Sequence, residues 1–463
     1  MVSSRDRALA EGIWLEPGYW LAMCPSCTIT TGSIEVAPAD QNPPSMDEIA
    51  FSRQCTEELR GRLDVDGYFD LDARSSLPIG GQARYAHLVA VLGSAVRALV
   101  EHGWPATFAF VFDEAWALVA ALSGAMRAAT GGNELMMDVV AWHVDPAEQQ
   151  AGFPPHRDRH LGSGEQDLGA VPSGFRHPGT SASPRYCTCW VALSAARADN
   201  GCLYVVPRSA DPGYDHGDSS VEADTAEAAF SLQFAAVQPE GLMEAAADAA
   251  TRKAVRGGGV EAEAKKKKRG TATVVYQANS ETAWQHVRAV PCDPGDAVFL
   301  SHRVLHWGSR GRAASTLGPR LSLSFAASDP TFEEPYLKRP RGGGDKDGVA
   351  AQGRAMQLLP FCQRIALASA QMLCYAANSR FLLSADMAAA CRAAFRAHRR
   401  VFTKTYRRKV RASWKEVLRH APPPASFGDS RHASGRSSPE SGDANGHSPN
   451  QKCTKRAKKV NPY

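Results

Sequence analysis

Apolar residues along this chain change their spacing several times, and each change marks a predicted element. Ile49, Cys55, Leu59 and Leu63 recur on one helical face, with Ser45 placed to cap the first turn. Asp66-Gly67-Tyr68-Phe69 then turns into a strand. Residues 84–101 and 113–129 predict two further amphipathic helices, the second capped by Asp113 and ended by Gly131-Gly132. From Met136 to Val144 the spacing shortens to two, which sets Val140 and Trp142 on one face of a strand and Ala141 and His143 on the other. Strands at 186–193, 201–207, 271–276, 284–290, 297–304 and 320–327 follow, separated by turn residues such as Asp199-Asn200-Gly201 and Gly295-Asp296. Asn200 reads as a turn residue that tolerates positive φ. About eight or nine short strands with turns between them predict an α+β protein, a double-sheet jelly roll with helices backing one sheet. Asp329-Pro330 ends the barrel, and the pattern is helical from Gln352 to about His420, where Leu358, Phe361, Ile365, Leu373, Phe381, Met387 and Phe395 supply apolar faces.

The stretches without periodicity set the domain plan. Residues 1–45, rich in Pro, Gly and Ser, read as an irregular N-terminal segment, and 46–335 as the main domain. Inside it, 239–270 is dominated by Ala, Glu and Gly and ends in Lys265–Arg269. Such a segment buries too little apolar surface to offset its ordering entropy, so it reads as a flexible insert. After a Gly-rich charged linker at Arg339–Gly348, residues 350–420 form a helical extension and 421–463 a disordered basic tail.

Apolar and charged fractions of 44% and 22% are ordinary for a soluble globular protein, and the net charge of +5 is small but uneven. Between Arg392 and Arg419 there are eleven Lys or Arg against one acid, Glu416, with Phe395, Phe402, Tyr406 and Trp414 interleaved. Such a helix could bind nucleic acid, but packed aromatics with solvated cations is the simpler reading. No apolar run approaches 18 residues, so neither a transmembrane helix nor a membrane partner is expected. The N-terminus lacks the apolar core of a secretory signal, and 11 irregularly spaced cysteines suggest reduced thiols in an intracellular setting. Lys455–Lys459 is a short basic pattern of the nuclear-targeting kind, so the location is read as cytoplasmic or nuclear. Cys24-Pro-Ser-Cys27 lacks both the second ligand pair of a zinc ribbon and a thioredoxin-like βαβ setting, and reads as incidental.

The chemistry gathers at Phe153-Pro-Pro-His156-Arg157-Asp158. In an extended segment His156 and Asp158 point to one side, giving two-thirds of a 2-His-1-carboxylate iron site. His-x-Asp also occurs by chance, and His143, His160 and His177 read as bystanders. Arg157 and Arg159 alternate away from the ligand face, where they would meet an anionic substrate or form surface pairs.

Later runs supply context: Tyr186-Cys-Thr-Cys-Trp190-Val-Ala-Leu193, Asn200-Gly201-Cys-Leu203 through Pro207-Arg208-Ser209, Gly295-Asp296 with His306 eleven residues after the Gly, and Arg320-Leu-Ser322. In this order they make the chain resemble, from about residue 47 to 335, the phytanoyl-CoA dioxygenase-like family of Fe(II)/2-oxoglutarate-dependent oxygenases. The resemblance implies a cupin-like double-stranded β-helix core. It implies Fe(II) held by His156, Asp158 and His306, with 2-oxoglutarate and dioxygen taking the open positions. It also implies that Arg320 and Ser322 bind the distal carboxylate of 2-oxoglutarate. His302 is the rival to His306. The two are read as lying in one strand about 13 Å apart, so both cannot hold one ion. Arg310 and Arg312 rival Arg320, but fall in a turn. The family's usual outcome is hydroxylation of an unactivated C–H bond in a small organic or acyl substrate, and the carboxylate of Asp158 agrees with it. The alternatives are a non-catalytic barrel binding nucleic acid or protein through its basic helix, and an iron enzyme that does not use 2-oxoglutarate. Oligomeric state has no signal in the sequence.

Overall fold

The computed structural model describes residues 3–32, 34–35, 53–76, 79–150, 152–153, 155–159, 184–211, 214, 285–338, 357–379 and 383–420. Outside these residues lie Ser45, Ile49, His160, His177, the 271–276 strand, the 239–270 insert, the 339–348 linker and the 421–463 tail. In chain order the elements are α1 (Ser4–Glu11), α2 (Pro17–Met23), β1 (Ile34–Glu35), α3 (Arg53–Asp66), β2 (Tyr68–Leu71), α4 (Ile79–Glu101) and α5 (Asp113–Thr130). The barrel strands follow: β3 (Glu134–Val144), β4 (Tyr186–Ala192), β5 (Leu203–Val206), β6 (Arg288–Val290), β7 (Ala297–Ser301), β8 (Leu305–Gly308) and β9 (Arg320–Ser328). A short β10 (Gln357–Leu358) pairs with β1, and α6 (Phe361–Ser379), α7 (Ala385–Ala397) and α8 (Lys404–His420) close the order.

Two antiparallel sheets make the jelly roll, one of five strands in the order β2-β7-β4-β9-β3 and one of three in the order β6-β5-β8. Strand parity divides the five-stranded sheet cleanly. Trp190, Ala192, Val298 and Leu300 face Leu203, Val205 and Val290 of the other sheet in one cluster. Cys187, Cys189, Val191, Phe299, Leu321 and Leu323 face outward into a larger cluster shared with the helices. The inner face of β9 and its neighbours is the one that matters for chemistry. Arg320 lies opposite Val144, and Ser322 opposite both Trp142 and Ala192.

The helix α4 is long and apolar enough, over Gly81–Glu101, to cross a membrane by length and composition. Half of that window is buried within the protein. Its apolar face (Tyr85, Leu88, Leu92, Val96, Leu99) is in the core and Arg84, His87, Ser94 and Arg97 are exposed, the pattern of a core helix.

Several sequence expectations are corrected. The N-terminal segment is not irregular, because α1 and α2 bring Trp14 and Trp20 onto Trp104 and Phe108, the Trp20 and Phe108 rings stacking at 5.3 Å. Burying a large side chain contributes about 1.5–3 kcal/mol, which composition alone does not reveal. Asp113 does not cap α5; the cap position is Phe112, without a side-chain bond. Asp113 instead accepts from the Thr30 amide at 2.9 Å and hydroxyl at 2.7 Å, and pairs with buried Arg364 at 2.6 Å. It thereby ties the N-terminal segment to α6. The strand expected over 297–304 ends at Ser301, and His302 and His306 do not share a strand: His302 lies in the turn before β8, which belongs to the other sheet. Asn200 is not the positive-φ residue; Gly201 is, at φ 91°. Asn200 is buried and braces two loops, accepting from the Arg197 amide at 2.7 Å and donating to the carbonyls of Ala195 at 2.8 Å and Gly318 at 3.2 Å.

Candidate metal centre

Two backbone hydrogen bonds bring the metal-binding stretch to the barrel. The amide of His156 donates to the His306 carbonyl and the amide of His306 to the His156 carbonyl, each at 3.0 Å. The rings of the two histidines lie 4.3 Å apart, and Asp158 Oδ1 is 3.4 Å from His156 Nε2 and 3.7 Å from His306 Nε2. One donor atom from each residue lies within 4.8 Å of the others, and this is the one His/Cys/Asp/Glu cluster of metal-binding geometry among the described residues. Side-chain exposures of 19%, 16% and 7% for His156, Asp158 and His306 leave the group open on one side.

The surroundings tune each donor. His306 Nδ1 lies 3.0 Å from the Val304 carbonyl. A carbonyl only accepts, so Nδ1 carries the hydrogen and Nε2 keeps its lone pair. Burial, helped by neighbouring His156, lowers the His306 imidazole to about 4, so it is neutral at physiological pH. Burial alone would raise the Asp158 carboxyl. The imidazoles of His306 and His156 and the Thr188 hydroxyl more than offset this and hold it far below the usual carboxylate range. Thr188 Oγ1 donates to Asp158 Oδ2 at 2.5 Å, fixing the carboxylate. Sequence reading passed over Thr188, although its place two residues before Trp190 puts it on the inner face.

His302 stands apart from this group. Its Nδ1 is 3.1 Å from the Tyr186 carbonyl, its ring lies 5.1 Å from that of Phe332, and burial lowers it to about 3. His143, on the opposite face of β3 from Trp142, also stays outside it.

Deeper in the barrel, Arg320 is 2% exposed and its guanidinium lies over Trp190 at 5.7 Å. Burial lowers it to about 10, still charged near neutrality. Its Nε and the Ser322 Oγ are buried without a hydrogen-bond partner, and no acid pairs with Arg320 among the described residues. An unpaired buried cation is costly, and a carboxylate seated there would satisfy both orphaned groups. Its rivals are elsewhere: Arg310 is exposed, and exposed Arg312 lies 3.7 Å from Asp199.

The remaining arginines are engaged internally, not at the surface. Buried Arg157 pairs with Asp211 at 2.5 Å, Arg208 with Asp64 at 2.8 Å, and Arg159 with Glu333 at 2.5 Å and Asp138 at 3.2 Å. Asp138 sits at a β-bulge beside Met137 (φ 64°) and collects the hydroxyls of Tyr336 at 2.8 Å, Tyr375 at 3.0 Å and Tyr186 at 3.1 Å. Nothing local in the sequence announced this hub, because its members come from β3, β4, α6 and the segment after β9. Cys24 and Cys27 are buried free thiols, both raised by burial and by nearby Glu114, and they form no His/Cys/Asp/Glu cluster of metal-binding geometry among the described residues.

A jelly roll holding two histidines and a carboxylate beside a lone buried cation defines the class of Fe(II)/2-oxoglutarate oxygenases. Residues 97–316, just under half of the chain, match the family model described as phytanoyl-CoA dioxygenase (PhyH), so the chain carries a phytanoyl-CoA dioxygenase-like domain of the 2-oxoglutarate-dependent dioxygenase type. Fe(II), 2-oxoglutarate and dioxygen are the family's cofactor and co-substrates. No curated protein matches the sequence. Among solved structures, the epimerase SnoN in complex with Fe3+, alpha ketoglutarate and nogalamycin RO is 16% identical with a TM-score of 0.34, covering 67% of this chain and 96% of its own. The carbocyclase SnoK from nogalamycin biosynthesis is 15% identical with a TM-score of 0.32, covering 64% and 89%. EctD from S. alaskensis with bound Fe is 16% identical with a TM-score of 0.32, covering 70% and 91%.

Proposed function

We propose that His156, Asp158 and His306 hold the Fe(II), that Arg320 and Ser322 bind the distal carboxylate of 2-oxoglutarate, and that the enzyme hydroxylates an unactivated C–H bond of a small organic or acyl substrate, releasing succinate and CO₂. The observation that carries this reading is the orphaned Arg320–Ser322 pair in the barrel that also holds the His156, Asp158 and His306 donors. Bound iron would supply activation of dioxygen, coupled to oxidation of the 2-oxo acid. The chain's own part is to present three donors from one side, leaving the other side free. Thr188 holds the carboxylate, Val304 fixes the His306 tautomer, and Arg320 orients the co-substrate by a charge-assisted pair in a water-poor interior.

The barrel-only reading loses support around α8, where Phe395, Phe402 and Tyr406 are buried in packing and the partly buried Trp414 ring is covered by Arg392 at 4.8 Å.

The test is iron content and succinate formation by the purified protein. Wild type is expected to bind one Fe(II) and consume 2-oxoglutarate slowly without substrate. His156→Ala, Asp158→Ala and His306→Ala are expected to lose both, whereas His302→Ala keeps its iron. Full iron binding and turnover in any of the first three would remove that residue from the site.

A further inference from the structure

Resting on that reading of the site, we propose that Trp142, Phe153 and Tyr375 form the wall against which a neutral, apolar part of the substrate lies, with Tyr375 the specificity-determining member. Trp142 is on the inner face of β3, opposite Ser322 and one pair away from Arg320. Phe153 lies 4.5 Å from the ring of His156. Tyr375 comes from α6, with its ring 6.4 Å from each of the other two. The rings meet nearly edge-on, at 83°, 82° and 79°, an attractive arrangement that fixes their orientation. All three are partly exposed, and the Phe153–His156 ring contact and the electrostatic reach of Asp158 to Tyr375 put the group beside the triad.

Charge decides what such a wall accepts. The Tyr375 hydroxyl is committed to Asp138 at 3.0 Å, so it is the ring that is offered. Arg157, Arg159 and Arg208 are held in internal ion pairs, and Arg320 is needed for the co-substrate. Arg303 is buried and donates to the Tyr214 carbonyl at 3.0 Å, so the arginines described around the triad are engaged, and a carboxylate over the negative face of a ring is repelled. Tyr375 also lies beyond the 97–316 family match, so the extension contributes it to the wall independently of the family core.

Equilibrium dialysis of 2-naphthol and of 2-naphthoate against the full-length protein tests the proposal, with Fe(II) and 2-oxoglutarate present and oxygen excluded. Wild type is expected to bind the neutral probe about tenfold or more tighter than the anion. Tyr375→Ala should weaken 2-naphthol about tenfold, the loss of one ring contact, while iron and 2-oxoglutarate binding stay within about twofold. Tyr375→Phe keeps the ring and should stay within about threefold. Trp142→Leu serves as the second variant should Tyr375→Ala fail to fold, with a loss of about threefold or more. Equal binding of the two probes, undiminished binding in Tyr375→Ala, or an equal loss in Tyr375→Phe would each overturn the wall. Wild type that takes up neither iron nor 2-oxoglutarate sinks the functional reading instead, and the same dialysis on metal-free protein still decides the wall.

Discussion

At the scale of single residues, the site separates groups that look alike in sequence. Arg320 and Arg312 are eight positions apart, but one is buried without a partner and the other is exposed beside an acid. Arg320→Gln is expected to keep iron and raise the dissociation constant for 2-oxoglutarate about 100-fold or more, since each lost charge-assisted bond is worth about 1.5–3 kcal/mol. Titration of 2-oxoglutarate into the anaerobic iron form measures it. Two buried histidines set a pH dependence. Burial lowers His302 to about 3 and His306 to about 4, whereas both titrate near 6.5 when unfolded. The unfolded chain therefore takes up protons that the folded chain refuses, and stability falls as pH drops from about 6.5 towards 4. His302→Asn removes one such group, and its metal-free unfolding free energy should fall less over that window, by about 1.4 kcal/mol per pH unit. Denaturant melts across the range would show an unchanged slope if His302 were already protonated in the fold. The grouping of His156, Asp158 and His306 was legible because His-x-Asp and the later His stand in motif order. Thr188 and Asp138 were not, since their roles depend on contacts from distant strands and helices.

At the scale of elements, period-two spacing located most of the strands. The end of a strand at Ser301 escaped it because Ser301, His302 and Arg303 are buried like the apolar residues on either side, so this polar run does not mark an exposed turn. Helices α1 and α2 escaped because their buried aromatics pair with residues about ninety positions on, leaving Pro and Gly to dominate the local signal. Close approaches of backbone were equally hidden. A methyl group on Gly201 would lie 2.6 Å from the Ser309 carbonyl, at a φ of 91° that side chains rarely adopt. Gly201→Ala is expected to cost about 1–3 kcal/mol or more in thermal or chemical melts, with the turn before β5 pushed off β8. A neutral result would mean that the turn relaxes freely.

At the scale of the whole molecule, the helical extension is joined to the barrel by partly buried polar contacts, among them Gln371 to the Met137 carbonyl and Lys409 to the Tyr336 hydroxyl. Composition sets 239–270 and 421–463 apart from all of this. Deleting either is expected to shift the melting temperature by no more than about 2 °C, well under the roughly 2–4 °C per kcal/mol that lost packing would produce at this size, multiplied over several contacts. Differential scanning calorimetry of both deletions against the full chain decides it, and a drop of many degrees would show that the segment packs.

His156 and His306 are direct backbone partners, yet they stand 150 positions apart in the chain. An unfolded polypeptide would have to close a loop of that length before one ion could touch both, whereas the folded barrel pairs their backbones by hydrogen bonds of its own. The barrel has to close first, unlike small zinc domains in which the ion organises the chain. Iron would then be a late arrival at a finished fold. A cell short of iron would accumulate an intact, inactive reserve of this protein, and its activity would return as fast as the ion is supplied, with no lag for refolding.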